Sequence, residues 1–317
     1  MKYAVIADIH ANLPAFQAVL KDAEAQGAEK FLVLGDYFMC MPWANETVEL
    51  IRTLKNAYVI SGNEDLYYDI CKGKDLYHPE DAQFLSLYWA YRVLRAENRS
   101  YIDSLPEQME FTLPVSEGKV NISFFLAHGA KSYVEESLED RLTSKVNNYF
   151  KQEPYSDMAY QRFIRKALND NTAFQSRIPE LEKGIYLFGH SHLQWHYEKD
   201  GRLFVNPGSC GFPLDGNPVP SYTLLTVTED ENPSVFIEER RVQYNMTDTV
   251  NQIRNSDLYA FAPEWSELII AEMEAAYEQI AFFLQHVQNY AEEIQDTVRP
   301  YRQKTWKAAF ELWRNSQ

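Results

Sequence analysis

Five short clusters along the chain carry side chains that bind metals or move protons: Asp8-Ile9-His10, Gly35-Asp36, Gly62-Asn63, His128-Gly129 and Gly189-His190-Ser191-His192. Imidazole nitrogen and carboxylate oxygen in this mixture suit manganese, iron or zinc, and the lack of cysteine in the clusters argues against a structural thiolate zinc site. Seven donors (Asp8, His10, Asp36, Asn63, His128, His190 and His192) are too many for one tetrahedral ion. They match two ions sharing a carboxylate. Two ions about 3.5–4 Å apart recur in phosphoester hydrolysis, where they activate water and stabilise charge on the displaced phosphoryl group. Singly, each cluster has an ordinary explanation: Gly-Asp and Gly-Asn are common turn dipeptides, and a lone histidine is more often capped or packed in a core. His190 and His192 could be same-face residues of one strand. Joint occurrence, each cluster at the end of an apolar run, favours the metal centre.

Those apolar runs are residues 3–7, 31–34, 57–60, 122–127, 185–188 and 203–205, each short and ended by a polar or glycine-containing turn. NLPAFQAVLKDAEAQG, between the first two, has helical spacing, a proline near its start and Gly27 near its end. WANETVELIRTLKN repeats the pattern, so the first 60 or so residues read as βαβαβ with a parallel sheet. Open α/β sheets bind ligands beyond the carboxyl ends of their strands, so the five clusters can converge on one crevice. Residues 76–105 and 135–182 read as helices, and MEFTLPVSEGKVNISFFLAHG as a hairpin turning at Glu117-Gly118. FVNPGS, SYTLLTV and SVFIEERRV suggest a second sheet packed on the first.

Beyond Tyr244 the pattern becomes one long helical stretch interrupted at Pro300, which divides the chain into a domain of residues 1–244 and a helical appendage of 245–317. Apolar residues at helical spacing there (Leu268, Ile269, Met273, Tyr277, Ile280, Phe283 and Leu284) must bury a face. The options are the chain's own core, a homo-oligomer interface or a lid over the site. His286 reads as a packed or exposed helix residue, not a ligand.

With 45% hydrophobic and 24% charged residues, and no apolar run near the ~18–20 residues of a membrane span, the 317-residue chain has globular composition. MKYAVIADIH reads as a first strand, not a signal peptide, and Cys40, Cys71 and Cys210 are odd in number and scattered, so a cytoplasmic location with reduced thiols is expected. A net charge of −16 argues against a nucleic-acid polymer as partner, and the lack of an apolar span argues against a membrane. A small phosphorylated substrate would need a local positive charge such as bound metal.

Through ADIHAN, LGD, SGNED, AHG, FGHSH and VNPGS, in order over about residues 1–240, the sequence resembles the calcineurin-like metallophosphoesterases, especially the prokaryotic branch of small predicted phosphoesterases. The resemblance implies an α/β (α+β) fold, a four-layer αββα sandwich of two mixed β-sheets flanked by helices, here with a C-terminal helical extension. It also implies two divalent or trivalent ions, manganese and/or iron with zinc as an option. Asp8, His10 and His192 would hold the first, Asn63, His128 and His190 the second, and Asp36 would bridge both. A hydroxide held by the two metals would attack phosphorus opposite the leaving group. The implied catalytic set is Asp36, Asn63, Glu64 and Asp65. Asn12 is expected to touch substrate or to cap the following helix, and the turn Asn206-Pro207-Gly208-Ser209 is expected around the site.

Two departures matter. Many relatives carry a histidine after the Gly-Asn pair, whereas here Glu64 follows Asn63; and Met41 stands where relatives have a glycine in the loop after Asp36, making it bulkier and more apolar. A buried Glu64 could act as a general acid, yet when ionised it would repel a phosphate dianion. The plainer expectation is that it points away and pairs with a Lys, Arg or Tyr. Expected substrates are a nucleotide, a dinucleoside polyphosphate or a phosphoprotein, with leaving groups that need no proton preferred. The alternative is a catalytically weakened scaffold for protein binding.

Overall fold

The computed structural model describes the whole chain except residues 119, 135–137, 151–154, 229–232 and 317. Its strands run in chain order as β1 (Lys2–Ile6), β2 (Lys30–Val33), β3 (Ala57–Val59), β4 (Gln108–Val115), β5 (Val120–Ala127), β6 (Gly184–Leu187), β7 (Gln194–Lys199), β8 (Arg202–Pro207), β9 (Ser221–Val227) and β10 (Val235–Arg241). They form two five-stranded mixed sheets, ordered β10-β9-β1-β2-β3 and β4-β5-β6-β8-β7. In the first, β1, β2 and β3 are parallel, with Tyr3 opposite Lys30 and Phe31 opposite Ala57, while β9 returns antiparallel to β1. The crossovers are helices α1 (Leu13–Ala25) and α2 (Ala44–Thr53), as their spacing predicts.

In the second sheet β5, β6 and β8 are parallel, β4 pairs with β5 as the expected hairpin, and β7 lies antiparallel on the β8 edge. Glu117 and Gly118 both take positive φ, 57° and 83°, in the hairpin turn. QWHYEK, which forms β7, lacks the unbroken apolar run of the central strands. An edge strand covered mainly on one face needs no such run, and Trp195 alone is fully buried within it.

Side-chain alternation sorts the strands into layers. Val5, Leu32, Phe124, Leu126, Leu187 and Val205 fill the space between the sheets. Ile6 and Val33 face the other way into a core shared with α1, α2 and α4 (after α3, Tyr68–Cys71, α4 is Leu85–Val93). α5 (Ala96–Asp103) packs beside α2. Phe125, Tyr186 and Phe204 face α6 (Leu138–Phe150), α7 (Asp157–Asn169) and α8 (Thr172–Arg177). The result is the four-layer αββα sandwich.

Among the described residues, the helical stretch from 245 on, expected to break at Pro300, is broken further into five helices: α9 (Met246–Arg254), α10 (Asp257–Phe261), α11 (Pro263–Ala275), α12 (Ile280–Glu293) and α13 (Gln303–Asn315). Pro263 opens α11, and Ala276, at φ 55°, closes it in the left-handed region. Phe283, Val287 and Trp306 lie in the same core as Phe16 of α1 and Tyr88 of α4. Ile253, Ile269, Ile270 and Met273 pack on Met41, Phe212 and Leu214. The bulky loop that follows Asp36 is thus seated against α9 and α11. Among the described residues no helix is long and apolar enough to cross a membrane.

Candidate metal centre

All five clusters lie just beyond strand ends: Asp8 and His10 after β1, Asp36 after β2, Asn63 after β3, His128 after β5, His190 and His192 after β6. Backbone bonds lock the first two exits together. Asp8 N–H donates to the Gly35 carbonyl (3.1 Å), and the N–H groups of Ile9 and His10 both donate to that of Asp36 (2.9 Å each). Asp8, His10, Asp36, His190 and His192 all take positive φ, between 49° and 70°. Such conformations cost about 1–3 kcal/mol each for non-glycine residues and persist where surrounding contacts over-determine them. The β3 exit needs a glycine, because a Cβ on Gly62 would lie 2.1 Å from Asp36 Oδ1.

Two groups of donors result, Asp8 with His10 and His192, and Asp36 with His128 and His190, the ligand atoms of each lying within 4.8 Å of one another. Asp8 Oδ1 is 3.5 Å from His192 Nε2 and 3.8 Å from His128 Nε2, while Asp36 Oδ2 is 3.1 Å from His128 Nε2 and 3.9 Å from His10 Nε2. Each carboxylate therefore sits between histidines of both groups. Asn63 Oδ1 accepts from His190 Nδ1 (2.8 Å), and Asn63 Nδ2 donates to the Tyr67 hydroxyl (2.9 Å). The seven sequence-distant donors are thus brought to one place, with only His190 exposed.

The rings are oriented for coordination. His192 Nδ1–H donates to the Phe212 carbonyl (2.9 Å) and His128 Nδ1–H to that of Leu34 (2.6 Å), so the inward Nε2 atoms present lone pairs when the rings are neutral. His128 Nε2 is buried, with Asp36 Oδ2 as its near polar neighbour (3.1 Å). The Nε2 atoms of His10 and His192 face each other at 3.0 Å. Burial favours a neutral His10, but Glu64, Asp36 and Asp8 outweigh it and raise the imidazole to about 9, so without metal this ring carries a proton. Burial and the adjacent His10 hold His192 well below the ordinary histidine value. Burial, with the charge of Asp36, pushes Asp8 up to about 7 although His128 opposes it, and His128 outweighs burial to hold Asp36 low. Two wholly buried carboxylates ringed by inward nitrogens call for positive charge. The donor set fits metal ions.

Two neighbours, Glu64 and Asp65, fall elsewhere than expected. Glu64 does not point away: its Oε2 accepts from His10 Nδ1 (3.1 Å) and its side chain lines the cavity beside the site. Asp65 is a buried brace, both oxygens taken by backbone N–H groups of Asp36 (2.8 Å), Tyr37 (3.0 Å) and Gly62 (2.8 Å), and so is not placed to act on a substrate. Asn12, fully buried, caps α1 by accepting from Ala15 N–H (3.2 Å) and donates to the Gly211 carbonyl (2.7 Å), the capping arm of its two expected roles.

The Asn206-Pro207-Gly208-Ser209 turn supports the ligands from behind, with Ser209 Oγ donating to the Asp8 carbonyl (2.8 Å) and Asn206 Nδ2 to that of Gly189 (2.6 Å). Cys40 was missed as a site residue. Its Sγ lies 3.7 Å from both His10 Nδ1 and Glu64 Oε2, and nothing in its sequence neighbourhood signals that.

The sequence profile described as "Calcineurin-like phosphoesterase superfamily domain" matches residues 1–230. An uncharacterized protein of Methanocaldococcus jannaschii is 30% identical over 264 residues, covering 83% of this chain and 94% of its own. A metallophosphoesterase from Sphaerobacter thermophilus has a similar crystal structure, with 25% identity, a TM-score of 0.58 and coverage of 87% of this chain and 99% of that one. A hypothetical protein from Pyrococcus horikoshii shares the fold at 19% identity and a TM-score of 0.54, over 84% of this chain and 97% of its own.

Proposed function

The chain belongs to the calcineurin-like phosphoesterase superfamily, and from that premise we propose that it hydrolyses a phosphate ester or phosphoanhydride at a two-ion centre. Asp8, His10 and His192 would hold one ion, Asn63, His128 and His190 the other, and Asp36 both; manganese and iron suit these donors, with zinc an option. When bound, the ions supply an activated water and neutralise charge on the phosphoryl group. The observation that carries this reading is the convergence of two donor groups, their inward nitrogens set by backbone carbonyls, around two wholly buried carboxylates.

The chain's own residues orient and admit. Glu64 accepts from His10 Nδ1–H and turns its Nε2 inward, and Tyr67 holds the Asn63 amide so that its oxygen faces His190. Lys131 shares a cavity of about 410 Å³ with Asn63, His128 and His190, supplying local positive charge to a phosphate in a chain of net −16. In the reaction the phosphorus–oxygen bond to the leaving group breaks, a water oxygen takes its place, and the leaving oxygen gains a proton.

Metal analysis of the purified chain, with manganese-supplemented assays on p-nitrophenyl phosphate and bis(p-nitrophenyl) phosphate, tests the proposal. Bound metal and turnover of at least one are expected; neither metal nor turnover overturns it. The pairing of Glu64 with His10, which removes it from leaving-group protonation, favours a second reading, a catalytically weakened scaffold for protein binding. Bound metal with no turnover would select that reading.

A further inference from the structure

A second cavity, of about 290 Å³, opens from His10, Asp36 and His192 and runs under the C-terminal helices. Its far wall comes from Trp265 of α11 and from Ile280 and Leu284 of α12, and Phe212 forms a side, its ring 4.6 Å from those of His10 and His192. The wall is mostly apolar, but Glu64, Glu272 and Glu278 also line it, and no Lys or Arg does among the described residues.

Glu272 is only 2% exposed, and its Oε1 accepts from the N–H groups of Gln279 (2.8 Å) and Ile280 (2.9 Å). Ala276, left-handed at φ 55°, folds the chain back so that Glu278 comes beside Glu272. Burial, with Glu278 adding its charge, pushes Glu272 up to about 8. A pair of crowded carboxyl groups, Glu272 buried and Glu278 half-buried, gains from an incoming hydrogen-bond donor or cation. The other cavity, beside His128, also carries carboxylates, Glu107 and Glu139, but Lys131 lines it too and Glu139 Oε2 accepts from Ala130 N–H (2.9 Å). The two sides of the centre therefore differ in that only one has a cationic Lys or Arg among the described residues.

We infer that the cavity under α11 and α12 receives the leaving alcohol, and that it selects a phosphate ester whose alcohol has an apolar body bearing an ammonium or other hydrogen-bond donor. This rests on the phosphoesterase reading and narrows it, since a leaving group with further phosphates would meet carboxyl groups and an apolar wall with no cation on that side among the described residues. The phosphoryl group lies toward His128, His190 and Lys131.

The test uses the full chain and tyramine phosphate, phenyl phosphate and ATP as substrates, with tyramine, phenol and ADP as ligands in titration calorimetry. Tyramine should bind at least ten-fold more tightly than phenol or ADP, and the kcat/KM order should be tyramine phosphate, phenyl phosphate, ATP. In Glu272→Gln and Glu278→Gln the tyramine-to-phenol ratio should fall at least five-fold; the wild-type comparison stands even if a variant fails to fold. Tyramine binding no better than phenol, or ADP binding best, overturns the inference. Selective tyramine binding without turnover of any ester upholds the pocket and removes the phosphoesterase reading, so the two fail separately.

Discussion

A carboxylate bonded to the back of a ligating imidazole fixes its tautomer and raises its basicity, and in the proposed centre Glu64 would stand in that relation to His10. Residue type alone left Glu64 open between an acid and a bystander; the 3.1 Å contact supports a positioning role. Glu64→Ala should lower metal affinity about 10–100-fold, read by titrating the metal-free chain with manganese; unchanged affinity would reject the role. His10 also predicts a pH dependence. Its folded-state value of about 9 lies above the ~6.5 of a free histidine, so the metal-free chain holds the full stabilisation below about 6.5 and loses it as pH rises through 9. Ion binding displaces that proton, so affinity should climb over the same window. Denaturant melts of metal-free wild type and His10→Gln at pH 6 and 9.5 should show the wild-type advantage shrinking. A gap independent of pH would contradict it.

At the scale of elements, strand exits hold the centre because buried parallel strands end in turns that bond to one another. Asp65 joins the exits of β2 and β3 through three backbone N–H groups. Leaving a buried donor unpaired costs about 1–3 kcal/mol, so Asp65→Ala should lose about 3 kcal/mol or more, measured as a shift in the urea midpoint. A loss under about 1 kcal/mol would mean that water replaces the carboxylate. The central strands were legible because strands covered on both faces read as apolar runs. β7 was not, being an edge strand, and of the breaks between α9 and α13 only the one at Pro300 was; the break after α11 depends on a left-handed alanine that no local residue preference signals.

For the whole molecule the question is whether residues 245–317 fold apart from the sandwich. Phe283, Val287, Trp306 and Ala309 share a core with Phe16 and Tyr88, and each large side chain removed would forfeit about 1.5–3 kcal/mol against a total stability of about 5–15 kcal/mol. We propose one folding unit. A chain ending at Tyr244 should aggregate on size exclusion and lack a cooperative melt; a monodisperse product with the wild-type melting temperature would restore the division at 244/245. The sequence by itself determined the ligand types, their order and their places at strand exits, because apolar runs and the turns that end them are local patterns. Only the tertiary structure decided that Glu64 faces His10, that the Asp65 oxygens are taken by backbone N–H groups, that Asn12 caps α1, that Cys40 lies at the site, and that the C-terminal helices wall its cavity. Each of those depends on side-chain direction across distant segments, which chain packing sets and local spacing does not.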